Sequence, residues 1–597
     1  SEKVDSLLRH RAKWLADVVT VAVFDEVHLI NDPGRGPTLE ILIARLREVN
    51  PEVQILALSA TIRNSGEIAD WLSSELVASE WRPVPLKEGV YYRGKILFGD
   101  GSEHVLGTRG EEATTRLAIE TVQGGGQVLI FVGTRRSSQT EAKRIAEKVR
   151  EFLSRDKLEK LEEVASSIEA ALGEPTRTCR LLAECVRQGT AFHHAGLHYL
   201  QRKLVEDAFR DNLIKVVCAT PTLAAGVNLP SRRTIIRDYQ RYAPPFGMQP
   251  IPVLEYKQMS GRAGRPKYDK YGEAVLIAKS EAEKEVLLEE YVLAKPERIT
   301  SKLASEPALR THVLAAIASG YVKSLQGMLN FINRTFFAYQ YSASRVESLI
   351  EKILDFLRGE GMISEKGKWL SATKFGRQVS RLYIDPLSGV VLRDGLMRLR
   401  DREPSDLGLL HLICHTPDME IQYLRKRDYS ELESIVKSYG DEFLIQIPSE
   451  AEAPEEYEFF LAELKTARIL QAWLEEVPED RIHEHFGIGA GDIRRCVSTA
   501  EWLLYAGHEL AKLFGIKKAC SPLRELRQRV RHGIKKELLE LVRLHGIGRV
   551  RARSLFNAGY RGLRELAGAS EAELMRVEHI GEDMARSIKR QLREGVV

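Results

Sequence analysis

The sequence predicts two α/β domains, the first of them incomplete, followed by a mainly helical C-terminal half. Short, mainly apolar runs at residues 21–24, 127–132 and 215–219 are typical of buried parallel strands, and a polar or charged residue follows each run within two positions. Segments with helical periodicity separate these runs. From residue 299 onward helical patterns dominate. Alternation of strands and helices favours a parallel sheet, whose ligand sites lie at the carboxyl ends of the strands.

The length and composition indicate a multidomain protein of the cytoplasm. A chain of 597 residues is long enough for several hydrophobic cores. No apolar segment approaches the length of a membrane span and no signal peptide is visible, so we expect no membrane partner. The six cysteines form no C-x-x-C pair, which favours reduced and partly buried thiols over a zinc site or a disulfide framework. They are Cys179, Cys185, Cys218, Cys414, Cys496 and Cys520.

Positive charge is concentrated at the C-terminus. The formal net charge of the chain is only +4. Residues 521–597 alone carry 17 Lys and Arg against 10 Asp and Glu. This local excess is typical of a module that binds a polyanion such as nucleic acid.

Two adjacent carboxylates follow the first apolar run. Asp25 would hold the Mg²⁺ of a nucleotide through its water shell, and Glu26 would orient or deprotonate the attacking water. His28 would sense that site. Acidic pairs after a strand are also common as helix caps or solvated loops, so this motif alone is a weak signal. It becomes strong with two later motifs, Ser59-Ala60-Thr61 and residues 258–265, which together favour a nucleic-acid-stimulated nucleotide hydrolase.

The second of those motifs contains two arginines three residues apart. At one helical turn, Arg262 and Arg265 would point the same way and neutralise charge developing on the γ-phosphate. Gln258 would position the nucleotide or its water. Taken singly, each arginine would more often be a surface ion pair. The spacing Q-x-x-G-R-x-G-R favours an arginine finger instead.

With these motifs and residues 31–40, 192–197 and 219–230, the sequence resembles the archaeal Hjm-type (Holliday junction migration) DNA repair helicases of the Ski-type group of superfamily 2. The resemblance runs along the whole chain. It implies ATP and Mg²⁺ as cofactors and ATP-dependent 3′ to 5′ unwinding of forked or branched DNA in replication-fork repair and recombination. Ser59 and Thr61 would couple hydrolysis to movement.

The resemblance also implies a domain order. Residues 1–85 would form part of a first RecA-like domain and residues 86–298 a second. A winged-helix domain (299–386) with a short wing at residues 361–370, a helical bundle (387–521) and a helix-hairpin-helix domain (522–597) would follow. The charged segment 140–171 would form a surface helix pair rather than a coiled coil, because its heptad pattern does not persist.

No G-x-x-x-x-G-K-[ST] phosphate loop occurs in the sequence, and residue 1 is not methionine. In the family that loop lies upstream, so we expect an N-terminally truncated chain whose first sheet has an unpaired edge. A non-enzymatic DNA-binding fragment therefore stays open as an alternative function. An RNA helicase of the same group is another, since backbone tracking and base stacking tolerate either sugar.

Three regions are predicted to contact single-stranded or forked DNA. Arg135, Thr220 and Thr222 follow predicted strands and would bind phosphates, although hydroxyls at strand ends are more often caps. Residues 235–254 predict a hairpin that would part the duplex. Tyr242 and Phe246 would stack on the terminal base pair, unless the hairpin is simply packed.

The third region lies in the C-terminal half. Arg495 and Trp502 are seven residues apart, about 10.5 Å along a helix, and match the base-stacking pair of the family's ratchet helix. A buried tryptophan with a capping arginine is the alternative. Residues 544–553 resemble a helix-hairpin-helix turn in which Arg549, Arg551 and Arg553 add charge, whereas the turn at 579–581 lacks a second glycine. We expect a monomer, with replication or recombination proteins as partners.

Overall fold

A computed structural model describes residues 2–107, 111–171, 176–223, 227–242, 247–266, 268–400 and 402–595. The chain forms two compact units. We call residues 23–28 and 55–299 the sheet unit, and residues 1–22, 29–54 and 300–597 the helical unit.

The first 72 residues contain two short strands among three helices. Their bounds are α1 (Glu2–Val18), β1 (Val21–Phe24), α2 (Gly36–Val49), β2 (Gln54–Ala57) and α3 (Ser65–Leu72), with a 3₁₀ turn at Val27–Asn31. Helix α2 has Pro37 in its first turn, where the N–H that proline lacks would have no partner within the helix.

Strands β1 and β2 pair with each other, and no third strand joins them in the described part of the chain. The Gln54 N–H donates to Thr20 O and the Leu58 N–H to Phe24 O, a constant offset that indicates parallel pairing. The prediction that β1 is a buried strand is wrong. Val21 and Val23 are more than half exposed, and only Phe24 is buried. The reason is that this face of the two-stranded sheet has no covering layer among the described residues.

The sheet unit is built around eight strands. Its elements are β3 (Leu86–Tyr92), β4 (Lys95–Phe98), β5 (Glu103–Val105), α4 (Ala113–Gln123), β6 (Val128–Phe131), α5 (Arg135–Arg150), α6 (Arg155–Ala170), α7 (Arg177–Val186), β7 (Thr190–His193), α8 (Tyr199–Arg210), β8 (Val216–Ala219), β9 (Arg233–Ile236), β10 (Gln240–Tyr242), β11 (Met248–Pro250), α9 (Val253–Ser260), β12 (Gly272–Ile277) and α10 (Glu281–Leu287), with a 3₁₀ turn at Pro221–Leu223 and a π-helical turn at Leu288–Val292.

The strand order of the large sheet is β5-β4-β3-β12-β9-β6-β8-β7. Strands β3, β12, β9, β6, β8 and β7 are parallel, and β4 and β5 add an antiparallel edge. Strands β6, β7, β8 and β9 are buried at every position, which explains the continuous apolar character of β6 and β8. The predicted strands at residues 127–132 and 215–219 are therefore confirmed.

Two further predictions in this unit are confirmed. The charged segment 140–171 lies in two separate helices, α5 and α6. Residues 235–254 contain an antiparallel hairpin in which Gln240 pairs with Pro250 and Tyr242 with Met248. Phe246 lies outside the described residues, and only the backbone of Tyr242 is described.

The helical unit continues from residue 300 with five helices and a two-stranded wing. Its elements are α11 (Glu306–Ala318), α12 (Leu325–Ile332), α13 (Phe336–Gln340), α14 (Ala343–Gly359), β13 (Ile363–Lys366), β14 (Trp369–Ala372) and α15 (Lys374–Leu382). Strands β13 and β14 form an antiparallel pair closed by Gly367, whose φ is positive. The predicted wing at residues 361–370 is thus confirmed.

The remainder is helical, as predicted. It comprises α16 (Pro386–Met397), α17 (Asp406–Cys414), α18 (Tyr429–Tyr439), α19 (Pro454–Leu474), α20 (Glu479–Phe486), α21 (Ala490–Leu513), α22 (Lys517–His532), α23 (Arg549–Asn557), α24 (Leu563–Gly568), α25 (Glu571–Leu574) and α26 (Glu582–Glu594), with 3₁₀ turns at Arg398–Arg400, Gly440–Glu442, Lys536–Leu538 and Leu541–Arg543. Residues 534–588 form their own small core. The boundary predicted between residues 521 and 522 falls inside α22, which continues through Pro522.

Candidate functional site

The two carboxylates of the first motif lie directly after β1. Asp25 and Glu26 are both exposed. Asp25 Oδ1 accepts the Glu26 N–H at 2.9 Å, and Glu26 has a φ of 54°. A left-handed conformation is costly for a residue with a side chain, and such strain is concentrated at functional sites. The turn presents both carboxylates to solvent at the carboxyl end of a parallel strand.

His28 connects this turn to two other motifs. Its ring is buried; Nδ1 accepts the Ala60 N–H at 3.3 Å, while Nε2 lies 2.9 Å from Gln258 Nε2 and 3.3 Å from Glu26 Oε2. Burial lowers the pKa of His28, and the charges of Glu26 and Asp25 oppose this. The ring is therefore neutral at neutral pH.

A neutral ring satisfies these contacts in one tautomer. Because Nδ1 accepts from Ala60, the ring proton lies on Nε2. That N–H donates toward Glu26, and toward Gln258 when the Gln258 amide turns its oxygen to the ring. His28 thus links the carboxylate turn, the Ser59-Ala60-Thr61 segment and the α9 helix through one side chain.

Arg262 lies in the loop after α9. Burial lowers the pKa of its guanidinium, and the Glu26 carboxylate opposes that shift, so the two charges act on each other. The backbone is held by two bonds, from Ser231 N–H to Arg262 O at 2.9 Å and from Gly264 N–H to Ser231 O at 2.6 Å. Gly264 has a φ of 100°, and a Cβ there would lie 2.8 Å from Val84 Cγ1. Only glycine fits this turn.

The predicted geometry of the arginine pair is wrong. Helix α9 ends at Ser260, so Arg262 and Arg265 do not share a helical turn. Arg265 is 11% exposed and forms two 2.9 Å ion-pair contacts with Asp269, while its Nη1 donates to Gln127 Oε1 at 3.1 Å. In this structure the arginine whose charge interacts with the Glu26 carboxylate is Arg262, not Arg265.

The predicted coupling residues Ser59 and Thr61 flank Ala60, whose backbone N–H is the group that contacts His28. Ser59 and Thr61 are exposed, and Ser59 Oγ donates to Ala60 O at 2.8 Å. Sequence reasoning missed the buried Asn64, whose side chain accepts the Ile299 N–H at 2.8 Å and donates to Ile299 O at 3.1 Å. An amide that pairs with one peptide group in this way fixes the segment after Thr61 to the end of the sheet unit.

Three predicted DNA-binding residues share one edge of the large sheet. Arg135 follows β6, and Thr220 and Thr222 follow the adjacent parallel strand β8. The two hydroxyl oxygens are 3.0 Å apart, and the Thr220 N–H donates to His193 O at 3.1 Å. The parallel register therefore brings together residues that are 85 positions apart in the chain.

The same edge contains residues that sequence reasoning left without a role. His194 is buried after β7, and its Nδ1 accepts the Gly196 N–H at 3.1 Å. A Cβ at Gly196 would lie 3.2 Å from Arg135 Nη1, so this glycine leaves room for the guanidinium. Asp238 Oδ2 accepts the Gly133 N–H at 2.9 Å and so holds the loop before Arg135. Gly133 and Gly196, which lie next to strand ends, are the sequence features that could have pointed to these residues.

The predicted ratchet residues lie on one helix of the helical unit, α21. Arg495 is about half exposed and pairs with Asp492. Trp502 is partly buried, and its indole N–H donates to Leu382 O at 2.9 Å. The structure therefore anchors the edge of the Trp502 ring at the end of α15, while base stacking by this pair stays a prediction.

The arginines of the first helix-hairpin-helix turn all contact protein groups. Arg549 donates to Val477 O at 2.9 Å, and Arg553 forms two 2.7 Å bonds with the Glu476 carboxylate. Arg551 donates to Gly546 O at 2.8 Å and to His579 O at 3.2 Å. Their predicted DNA contacts stay predictions. Glu582 and Asp583 occupy the first turn after the second hairpin, which makes that turn unfavourable for a phosphate.

Proteins similar to this chain were found among archaeal helicases. A protein from Methanocella arvoryzae named ATP-dependent DNA helicase Hel308 is 46% identical over 99% of this chain and 79% of its own length. Proteins of the same name from Pyrobaculum calidifontis and Pyrococcus horikoshii are each 41% identical over 99% of this chain, and over 82% and 80% of their own lengths. The chain belongs to the Hel308 family of ATP-dependent DNA helicases.

Five family models match successive parts of this Hel308-family chain. They are a DEAD/DEAH box helicase model at residues 1–68, a helicase conserved C-terminal domain at 111–267, a helix-turn-helix domain at 272–364, an archaeal helicase domain 4 at 407–533 and a SAM-like helix-hairpin-helix tandem at 538–594. The predicted family, fold class and ATP-dependent DNA helicase activity are confirmed. In the described part of the chain, no helix is long and apolar enough to cross a membrane.

Proposed function

We propose that this chain is the motor of a 3′ to 5′ DNA helicase that unwinds forked or branched DNA during replication-fork repair and recombination. The observation that carries the proposal is His28, whose ring contacts Glu26, the Ala60 N–H and Gln258 together. One buried group thereby joins the hydrolytic carboxylate to two segments that would move when the nucleotide is hydrolysed.

In the proposed mechanism, Glu26 accepts a proton from the water that attacks the terminal phosphate of ATP. Asp25 suits Mg²⁺, because its carboxylate is exposed and Mg²⁺ is bound by one or two carboxylates together with nucleotide phosphates. When bound, that ion would neutralise charge on the phosphates. Arg262 supplies the opposing positive charge, and Gln258 orients the nucleotide or its water.

Coupling follows from the contacts of His28. A change in the position or charge of Glu26 alters the Nε2–H contact, and the same ring holds the Ala60 N–H and Gln258. Ser59 and Thr61 flank Ala60, so they move with it. Arg265 takes a finger role only if its ion pair with Asp269 opens.

Arg135, Thr220 and Thr222 bind the phosphates of the tracked strand in this proposal, and the β10–β11 hairpin parts the duplex. Arg495 and Trp502 stack on successive bases, and the helix-hairpin-helix region receives the exiting strand. The protein would act as a cytoplasmic monomer, and its partners would be replication or recombination proteins.

The test is phosphate release from ATP in the presence and absence of single-stranded DNA. We expect release by the unmodified chain to rise with DNA, and Glu26→Gln to lower it at least about a hundredfold because the general base is lost. Glu52→Gln changes an exposed glutamate in the loop before β2 and serves as the control.

A second candidate is DNA binding without hydrolysis, which the absence of a G-x-x-x-x-G-K-[ST] loop from the sequence favours. If the protein binds DNA but phosphate release stays at the level of buffer alone, this candidate is supported. The same result would contradict a motor in this chain.

A further inference from the structure

An exposed aromatic ring lies on the segment between α17 and α18 of the helical unit. Tyr423 is 63% exposed. Its backbone is nevertheless fixed, because Tyr423 O accepts from Lys465 Nζ at 2.6 Å and the neighbouring Gln422 N–H donates to Thr466 Oγ1 at 2.9 Å. Both anchors belong to α19. The ring is therefore presented to solvent by a segment tied at two adjacent residues.

The lysine that holds this segment is itself buried. Lys465 is 3% exposed, and its only carboxylate partner in the described residues is Asp428, at 2.7 Å. Burying an ammonium group costs free energy unless it is paired and hydrogen-bonded. Here the charge is used to join both ends of the segment, Tyr423 and Asp428, to one helix. Such support preorganises a contact surface.

A run of positive charge follows the ring in the chain. Arg425, Lys426 and Arg427 follow it, and Lys426 and Arg427 are exposed. Arg425 and Arg427 each donate to His485 O at 2.6 Å, which holds their guanidinium groups at the end of α20. An aromatic ring among cations is the combination by which proteins bind single-stranded nucleic acid, with stacking on bases and charge on phosphates.

The segment also reaches the predicted ratchet helix. Glu420 Oε2 lies 3.8 Å from Arg495 Nε, and Glu420 is three residues before Tyr423. Arg495 is one of the two residues proposed above to contact bases. The exposed ring and the exposed cations therefore belong to a segment that contacts Arg495 through Glu420.

We propose that Tyr423 is an additional base-stacking residue for single-stranded DNA, with Lys426 and Arg427 on the phosphates of the same strand. This inference rests on the proposed function, since it assumes that the strand passes Arg495. A protein partner would use the same exposed ring, but the three cations that follow it in the chain favour a polyanion.

The test compares binding of a normal oligothymidine with binding of an abasic strand of equal length at one salt concentration. We expect Tyr423→Ala to weaken binding of the normal strand between about fivefold and a hundredfold, which is the range for loss of one stacked base. On the abasic strand the loss should nearly vanish, because no base is present. Tyr423→Phe keeps the ring and should bind like the unmodified protein.

Tyr439→Ala is the matched control, since Tyr439 is also exposed but lies beside Asp441 and Glu442. Equal affinity of Tyr423→Ala and the unmodified protein for the normal strand would overturn the inference. So would an equal loss on both strands, which would indicate a structural or purely electrostatic effect. Failure of the unmodified protein to bind either strand would instead contradict the proposed function.

Discussion

At the scale of single residues, the least expected finding is a buried carboxylate in α2. Glu40 is fully buried in the helical unit, where it accepts from Ser301 Oγ and from the Phe337 N–H, each at 2.6 Å. Burial raises its pKa to about 7, and these hydrogen bonds only partly oppose the shift. Glu40 thus ties α2 to the segments before α11 and at the start of α13.

This contact makes stability depend on pH. The folded-state pKa of about 7 lies above the unfolded value, so the folded state binds more protons between about pH 4.5 and 7. Stability from Glu40 is therefore greatest below that window and falls as pH rises through it, by an amount on the order of 3 kcal/mol. We expect Glu40→Gln to flatten the decline of the melting temperature between pH 5 and 7.5, measured by calorimetry. An unchanged slope, equal to that of Glu52→Gln, would contradict this assignment.

At the scale of elements, one tryptophan connects the helical bundle to the helix-hairpin-helix region. The guanidinium groups of Arg494 and Arg549 lie 4.8 and 4.7 Å from the centroid of the Trp473 ring of α19. Its indole N–H donates to Val530 O at 2.8 Å. Gly533 ends α22 with a φ of 65°, and a Cβ there would lie 2.3 Å from the Trp473 ring. Helix α22 can therefore end against Trp473 only at a glycine.

We expect Gly533→Ala to destabilise the protein by several kcal/mol, because it adds a clash with the Trp473 ring to the strain of a left-handed residue. Gly515→Ala is the matched control: Gly515 has a φ of 70° but no atom within 4 Å of the added Cβ, so it should cost only about 1 kcal/mol. Thermal unfolding measures both effects. Equal losses from the two variants would show that strain alone matters and that the contact with Trp473 does not.

At the scale of the whole molecule, the proposed contacts to phosphates and bases suit both DNA and RNA, because none of them involves the sugar. In the proposed function Arg135, Thr220 and Thr222 would offer donors to phosphates, and stacking by Trp502 or Tyr423 would accept any base. A 2′-hydroxyl would be discriminated by a dedicated donor or acceptor. The preference for DNA therefore comes from the family to which the chain belongs.

We expect this protein to unwind a DNA fork and to leave a matched RNA fork intact, because relatives matching 99% of the chain are named DNA helicases. Two forks of identical sequence and tail length, followed by strand separation on a gel, measure the difference. A DNA duplex with blunt ends controls for melting without translocation. Faster separation of the RNA fork would favour the RNA helicase alternative.

The sequence by itself determined the elements and the chemistry at their ends. Continuous apolar runs specified β6 and β8, because strands covered on both faces exclude polar residues. The heptad pattern of residues 140–171 does not persist, which predicted a helix pair rather than a coiled coil. The motifs at residues 25–28, 59–61 and 258–265 indicated the family together with residues 31–40, 192–197 and 219–230. Local patterns of this kind can be recognised without knowing which distant residues pack against them.

Only the tertiary structure decided which partner each charged group takes. The sequence could not show that Arg265 pairs with Asp269 and Gln127, or that Arg553 pairs with Glu476. Nor could it show that β1 leaves Val21 and Val23 exposed. The sequence offers each guanidinium many carboxylates and carbonyl groups as possible partners. The burial of a strand likewise depends on which residues pack over it. Both are set by residues far away in the chain that folding brings into contact.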